Sequence, residues 1–142
     1  MKILLDSTAL IDIERKNEEA LELIENMSSN NEELIISAVT VSEILTGAYY
    51  RGAREGLAAA KTLLAQFRLV PLDAEVADKT AQYVAFLLRN GSPVDFKDVA
   101  IAATFAVTKS DFLLTQNKKH FEVLPEIGSK ARTISEFRRI YR

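Results

Sequence analysis

Ile3, Leu4 and Leu5 follow one another with no polar residue between them, and the run stops abruptly at Asp6. A strand with one wet face alternates apolar and polar residues, so an unbroken run is buried on both faces, as in a parallel sheet covered by helices. Ser7 and Thr8 are helix-start residues, and Leu10, Ile11 and Ile13 then supply an apolar helix face. Asp6 therefore stands at the carboxyl edge of a strand, where open α/β sheets bind ligands. The same position suits a plain helix cap, and this stretch alone leaves the two roles open.

The pattern recurs along the chain. Residues 17 to 27 place Leu21, Ile24 and Met27 on one side of a helix, with Glu18, Glu19, Glu22 and Glu25 facing water. After the loop at 28 to 32, Leu34 to Ser37 repeat the buried-strand signature. In the following segment, Thr40 is a candidate N-cap and Glu43 sits at capping-box spacing from it. Alternatively, Glu43 is a first-turn glutamate pointing back over the sheet edge where Asp6 ends. A carboxylate that caps its own helix is not free to bind a cation.

Residues 48 to 67 read as a helical hairpin broken near Gly52 or Gly56, with Tyr49, Tyr50, Arg51 and Arg54 near its tip, before a short apolar run at 69 to 72. From Asp73 to Arg89, Val76, Ala77, Thr80, Tyr83, Val84, Leu87 and Leu88 mark a long helix closed by Asn90 and Gly91. Asp98 opens a further helix whose Ala100, Ala102, Ala103 and Ala106 allow close approach to a sheet. Residues 112 to 115 form another apolar strand ending at Thr115 and Asn117, and a short strand near Arg132 and Thr133 precedes a terminal helix from Ser135. Three times, then, a buried strand or its neighbouring helix presents a carboxylate or carboxamide at one end.

Composition removes several classes of chemistry. At 142 residues and 48% hydrophobic, the chain suits one compact domain over residues 1–142. There are no cysteines, which excludes disulfides, thiolate metal sites and cysteine nucleophiles. The single His120 precludes an imidazole cluster and reads as part of a turn rather than as a base. Nothing resembles a signal peptide or a bilayer-spanning run, so a cytoplasmic protein is expected. A net charge of −2 means that nucleic-acid binding requires a local basic patch or a bound cation.

The ordered set DSTALID at 6 to 12, TVSEILTGA at 40 to 48, GSPVDFKDVAIAA at 91 to 103 and LLTQNKKHF at 113 to 121 resembles the PIN-domain family, and within it the ribonuclease toxins of VapBC toxin–antitoxin systems. The resemblance runs from Met1 to about Thr133 and implies a three-layer α/β fold with a mainly parallel central sheet. It also implies a divalent-metal-dependent endoribonuclease, a homodimer and a cognate antitoxin.

Position by position, Asp6 matches the family's first acidic residue. Glu43 matches the second, followed by an apolar pair and by Gly47 four positions on. Asp98 matches the third, three residues before an I-A-A run. The fourth position, often aspartate, falls on Asn117. Asp95 fits less well and reads as a capping or outer residue, while Ser7 and Thr115 fall where the family places hydroxyls that steady metal-bound waters. Three crowded carboxylates would raise one another's pKa, a conflict that a hard cation resolves. The oxygen donors imply Mg²⁺ or Mn²⁺, which can activate water and polarise a phosphoryl oxygen. Lys118, Lys119, Arg132, Arg138, Arg139 and Arg142 are the local cations available to RNA. Two other readings stand beside this one. The first is a catalytically weak binder of RNA or protein, suggested by Asn117; the second is a housekeeping RNA-processing nuclease without an antitoxin.

Overall fold

The computed structural model describes residues 1–141, so Arg142 lies outside the described residues. The chain begins with strand β1 (Lys2–Leu5), helix α1 (Ser7–Glu14) and helix α2 (Glu18–Ser29). Strand β2 (Glu33–Ser37) leads into the helical hairpin of α3 (Ala38–Arg51) and α4 (Arg54–Leu64), and then strand β3 (Arg68–Val70). Helices α5 (Ala74–Arg89) and α6 (Phe96–Thr108) precede strand β4 (Phe112–Leu114) and the short helix α7 (Lys119–Glu122). A 3₁₀ turn at Gly128–Lys130, strand β5 (Ala131–Arg132) and helix α8 (Ile134–Ile140) complete the described chain.

The five strands form one parallel sheet in the order β3-β2-β1-β4-β5. Successive side chains of a strand point to opposite faces, and both faces here are covered. Ile3, Leu5, Leu34, Ile36 and Leu114 enter one core with residues of α1 to α4 and α8, including Leu10, Met27, Ile44 and Phe137. Leu4, Ile35 and Leu113 enter a second core with Tyr83, Ile101, Phe105 and Phe121. This is the three-layer arrangement that the unbroken apolar runs require. It explains why the buried residues of β1, Ile3 to Leu5, are all apolar.

Register fixes where the polar groups gather. Leu5 is aligned with Ile36 on one side and Leu114 on the other. The next residues, Asp6, Ser37 and Thr115, therefore end the three central strands at one level. Helix α6 leads into a parallel strand and so runs back against the sheet direction, which brings its N-terminal turn to this same edge. Seven consecutive residues of α6, Val99 to Phe105, are buried, as expected of a helix packed between the sheet and α5.

Local structure corrects several expectations. Helix α3 begins at Ala38, capped by the hydroxyl of Ser37, which accepts from the Val39 amide at 3.1 Å. Thr40 is wholly buried inside the helix and caps nothing, so the capping-box role for Glu43 is overturned and Glu43 lies in the second turn. A strand residue that doubles as a cap hid this boundary. The hairpin breaks at Gly52, whose φ of +74° is the left-handed C-cap geometry that glycine adopts without strain. In α5, Val76, Thr80, Tyr83 and Leu87 are buried, whereas Ala77 and Leu88 are exposed. Helix α8 starts one residue earlier than expected, with Thr133 and Glu136 forming its capping box.

Candidate functional site

Asp6 is the buried centre of the sheet edge, 3% exposed. It does cap α1, its Oδ1 accepting from the Ala9 amide at 3.1 Å, but the cap uses only part of its capacity. The Thr8 hydroxyl also donates to Oδ1, at 2.6 Å, and the Thr115 hydroxyl donates to Oδ2. Thr115 is delivered by the strand register described above. It also accepts from the Asn117 amide at 3.0 Å, so one hydroxyl ties the carboxylate to the turn after β4. Burial pushes the Asp6 carboxyl above the ordinary carboxylate range; the three hydrogen bonds oppose this, and the charge of nearby Asp98 adds to it. No cationic side chain pairs with it among the described residues.

Asp98 occupies the first turn of α6 and is half-buried. Its Oδ2 lies 2.8 Å from Nδ1 of His120. Burial pushes the Asp98 carboxyl upward, His120 pulls it down through the hydrogen bond, and the Asp95 charge pushes it up again. Asp95 is the N-cap of α6, accepting from the Lys97 amide at 3.1 Å, which is the outer, capping position expected for it. Glu43 projects from the second turn of α3 to an ion pair with Lys97 at 3.5 Å. Asn117 is exposed and enters the network through its backbone, its carbonyl accepting from the His120 amide at 3.1 Å. Ser7 is partly buried at the start of α1.

The structure thus brings Asp6, Asp98, Thr115 and the backbone of Asn117 to one edge, and links Glu43 to it through Lys97. Among the described residues, no group of three or more His, Asp and Glu side chains stands close enough to hold a metal ion as arranged. The donor chemistry nevertheless fits a hard cation. Among the described residues Asp6 is a desolvated carboxylate with no positive partner, and Lys97 on Glu43 and His120 on Asp98 have side chains 59% and 55% exposed that can swing aside.

Three participants escaped the sequence reading. Thr8 carries a usable signal, since a hydroxyl two residues after an N-cap aspartate can reach back to it. His120 and Lys97 had none, because their partners lie 22 and 54 residues away. The expected basic patch is partly spent inside the fold. Arg138 pairs with Glu19 at 3.0 Å and Glu22 at 2.6 Å on α2, and Lys118 pairs with Glu136 at 2.8 Å. Arg132 lies over the Phe112 ring.

The PIN domain model matches residues 3–141. The chain belongs to the PIN domain family. Within it, this PIN domain is 33% identical over 129 residues to Ribonuclease VapC1 of Methanocaldococcus jannaschii, covering 91% of this chain and 85% of that one. It is 30% identical over 129 residues to the tRNA(fMet)-specific endonuclease VapC of Salmonella typhimurium, covering 89% and 95%. A VapC ribonuclease of Pyrococcus furiosus is 38% identical over 71 residues, a match that spans 50% of this PIN domain and 47% of that relative. In fold it is similar to the crystal structure of VapBC2 from Rickettsia felis bound to a promoter DNA fragment, with a TM-score of 0.83 at 17% identity, over 94% of this chain and 98% of the other. No helix among the described residues is long and apolar enough to cross a membrane.

Proposed function

We propose that this single-domain protein is a cytoplasmic endoribonuclease, the toxin of a toxin–antitoxin pair, which hydrolyses RNA phosphodiester bonds with Mg²⁺ or Mn²⁺ held by Asp6 and Asp98, and by Glu43 and Asn117 once Lys97 and His120 move aside. The observation that carries this reading is Asp6 itself. A carboxylate 3% exposed, offered hydroxyls and an amide but no cation, is costly unless a positive charge arrives. The names of the two relatives aligned over about nine-tenths of this chain support the reaction class.

Bound at this edge, a divalent cation supplies activation of water and neutralisation of phosphate charge. The chain's own residues do the rest. Thr8 and Thr115 hold both oxygens of Asp6 in one orientation, which fixes its position relative to Asp98. The Asn117 turn is pinned to the same hydroxyl and frames the entry. Ser7 follows Asp6 as the first residue of α1, from where its hydroxyl would steady metal-bound water. The partners are single-stranded RNA, a cognate antitoxin that covers the acidic pocket, and a second copy of the chain.

The second reading, an RNA- or protein-binding module without cleavage, rests on the amide at Asn117 in place of a fourth carboxylate. Purified protein should cut single-stranded RNA with Mn²⁺ or Mg²⁺ and stop with EDTA, and Asn117→Asp should preserve cutting or raise it at low metal. A wild type that binds RNA, cuts none of a broad panel in either metal, and cuts only after Asn117→Asp would instead establish the binder.

A further inference from the structure

A cavity of about 360 Å³ opens directly beside Asp98, between the end of α5, the start of α6 and α7. Leu87 and Val99 form its buried floor, and Pro93 and Val123 its walls. Val123 is an apolar side chain 57% exposed at this rim, although it contributes to neither core. Ser92, Asp95, Lys119 and His120 supply the polar edge. The volume falls in the range of small-molecule sites, which combine apolar walls with a few convergent polar groups.

We infer that this cavity is a base subsite, which takes one unpaired nucleobase carrying an exocyclic amine, next to the phosphate that is cut. The inference rests on the nuclease reading for its substrate class, and on the cavity for everything else. Asp98 lines the cavity and belongs to the site, so an occupant lies about one nucleotide from the reacting phosphate. Of the parts of an RNA strand, only the base offers a flat apolar face for Val99, Pro93 and Val123. Phosphate and sugar would leave those walls unmatched, and Asp95 and Asp98 would repel the phosphate. Unstacked bases of single-stranded RNA are commonly held against aromatic planes, histidine included, and His120 presents its ring at the mouth. Lys119 stands beside it, where an ammonium group meets the backbone phosphate of the same nucleotide.

Asp95 selects among bases. One of its oxygens is committed to the Lys97 amide as the cap of α6. The other is an acceptor only, and it matches an edge that donates. Adenine, cytosine and guanine each carry an exocyclic amine there. Uracil has no exocyclic amine, and its one pairing-edge donor, N3–H, is flanked by two carbonyls that the carboxylate repels.

The test titrates the ¹⁵N-labelled full chain, without metal, with the 5′-monophosphates of adenosine, cytidine and uridine while backbone amide shifts are followed. The expected result is saturable shifts at Ser92, Val99 and Val123, with the adenosine and cytidine nucleotides bound about three- to tenfold more tightly than the uridine nucleotide. Val123→Trp, a substitution at an exposed position that fills the mouth, should weaken cytidine nucleotide binding by about tenfold or more. Asp95→Asn keeps a good helix cap but adds a donor, and should bring the uridine nucleotide to within about twofold of cytidine. Asp95→Asn stands as the second arm should Val123→Trp fail to fold. Shifts centred on another surface, an unchanged titration in Val123→Trp, or a uridine nucleotide bound as well as cytidine by the wild type would overturn the subsite. No cleavage enters the readout. A chain that cuts RNA yet shows none of these shifts loses only the subsite; one that shows them all and cuts no RNA loses only the nuclease reading.

Discussion

The two halves of the acidic edge are built on different principles. On the sheet side, Asp6 follows directly from a strand buried on both faces, and neutral donors hold it: two hydroxyls and an amide. On the helix side, Asp98 and Glu43 are more exposed, and mobile basic side chains hold them, His120 at 2.8 Å and Lys97 at 3.5 Å. A carboxylate held by neutral groups in a desolvated place keeps its need for a positive charge. One held by mobile hydrogen-bonding side chains at the rim has met that need provisionally. The sheet side is therefore the fixed half of the site and the helix side the adjustable half.

The sharpest way to break this contrast is Asp6→Asn. Replacing the charge but not the shape should lower RNA cleavage by about three orders of magnitude, close to 4 kcal/mol of transition-state stabilisation, in a metal-saturated single-turnover assay. Asp98→Asn should follow with a loss of about a hundredfold and should abolish most of the rise in melting temperature that millimolar Mn²⁺ gives the wild type. Equal losses for the two substitutions would erase the distinction between fixed and adjustable halves.

Stability should move the opposite way to activity. Burial holds Asp6 above the ordinary carboxylate range, so between its unfolded and folded pKa the native state binds more protons than the unfolded chain. Stability is then fully present below the unfolded pKa and declines as pH rises through the folded one. In EDTA, Asp6→Asn, which retains a good N-cap, should melt about 3 °C above the wild type at neutral pH, with the gap closing towards about pH 4. A gap that widened on acidification would contradict the desolvation account of Asp6.

The smallest effect belongs to Lys97→Ala. Its pair with Glu43 is exposed and long, worth well under about 1 kcal/mol, so thermal stability should change by no more than about 1–2 °C. The metal concentration for half-maximal cleavage should fall, because Glu43 is released.

Much of this organisation was legible in sequence because it depends on local pattern. Ile3 to Leu5 ending at Asp6, and Phe112 to Leu114 ending at Thr115, mark strand ends without any knowledge of the partner strand, and parallel register then brings those ends level. The α3 boundary was misread where two local signals compete: Ser37 is both the last strand residue and the cap, so Thr40 took the role of first polar residue. What sequence could not carry were pairings set by the closing of distant elements. His120 meets Asp98 only because α7 folds under the start of α6. Arg138 is drawn to Glu19 and Glu22 only because α8 packs on α2. Side chains whose partners lie far away in the chain leave no periodicity to read.

The central claim, that Asp6 and Asp98 jointly hold the cation, is tested most directly by anomalous diffraction from crystals of the wild type grown with millimolar Mn²⁺. A single strong manganese peak at coordination distance, about 2.1–2.3 Å, from one oxygen of Asp6 and one of Asp98, with His120 turned off Asp98, is the predicted result. Manganese bound elsewhere, or no peak at a concentration that supports RNA cleavage, would contradict it.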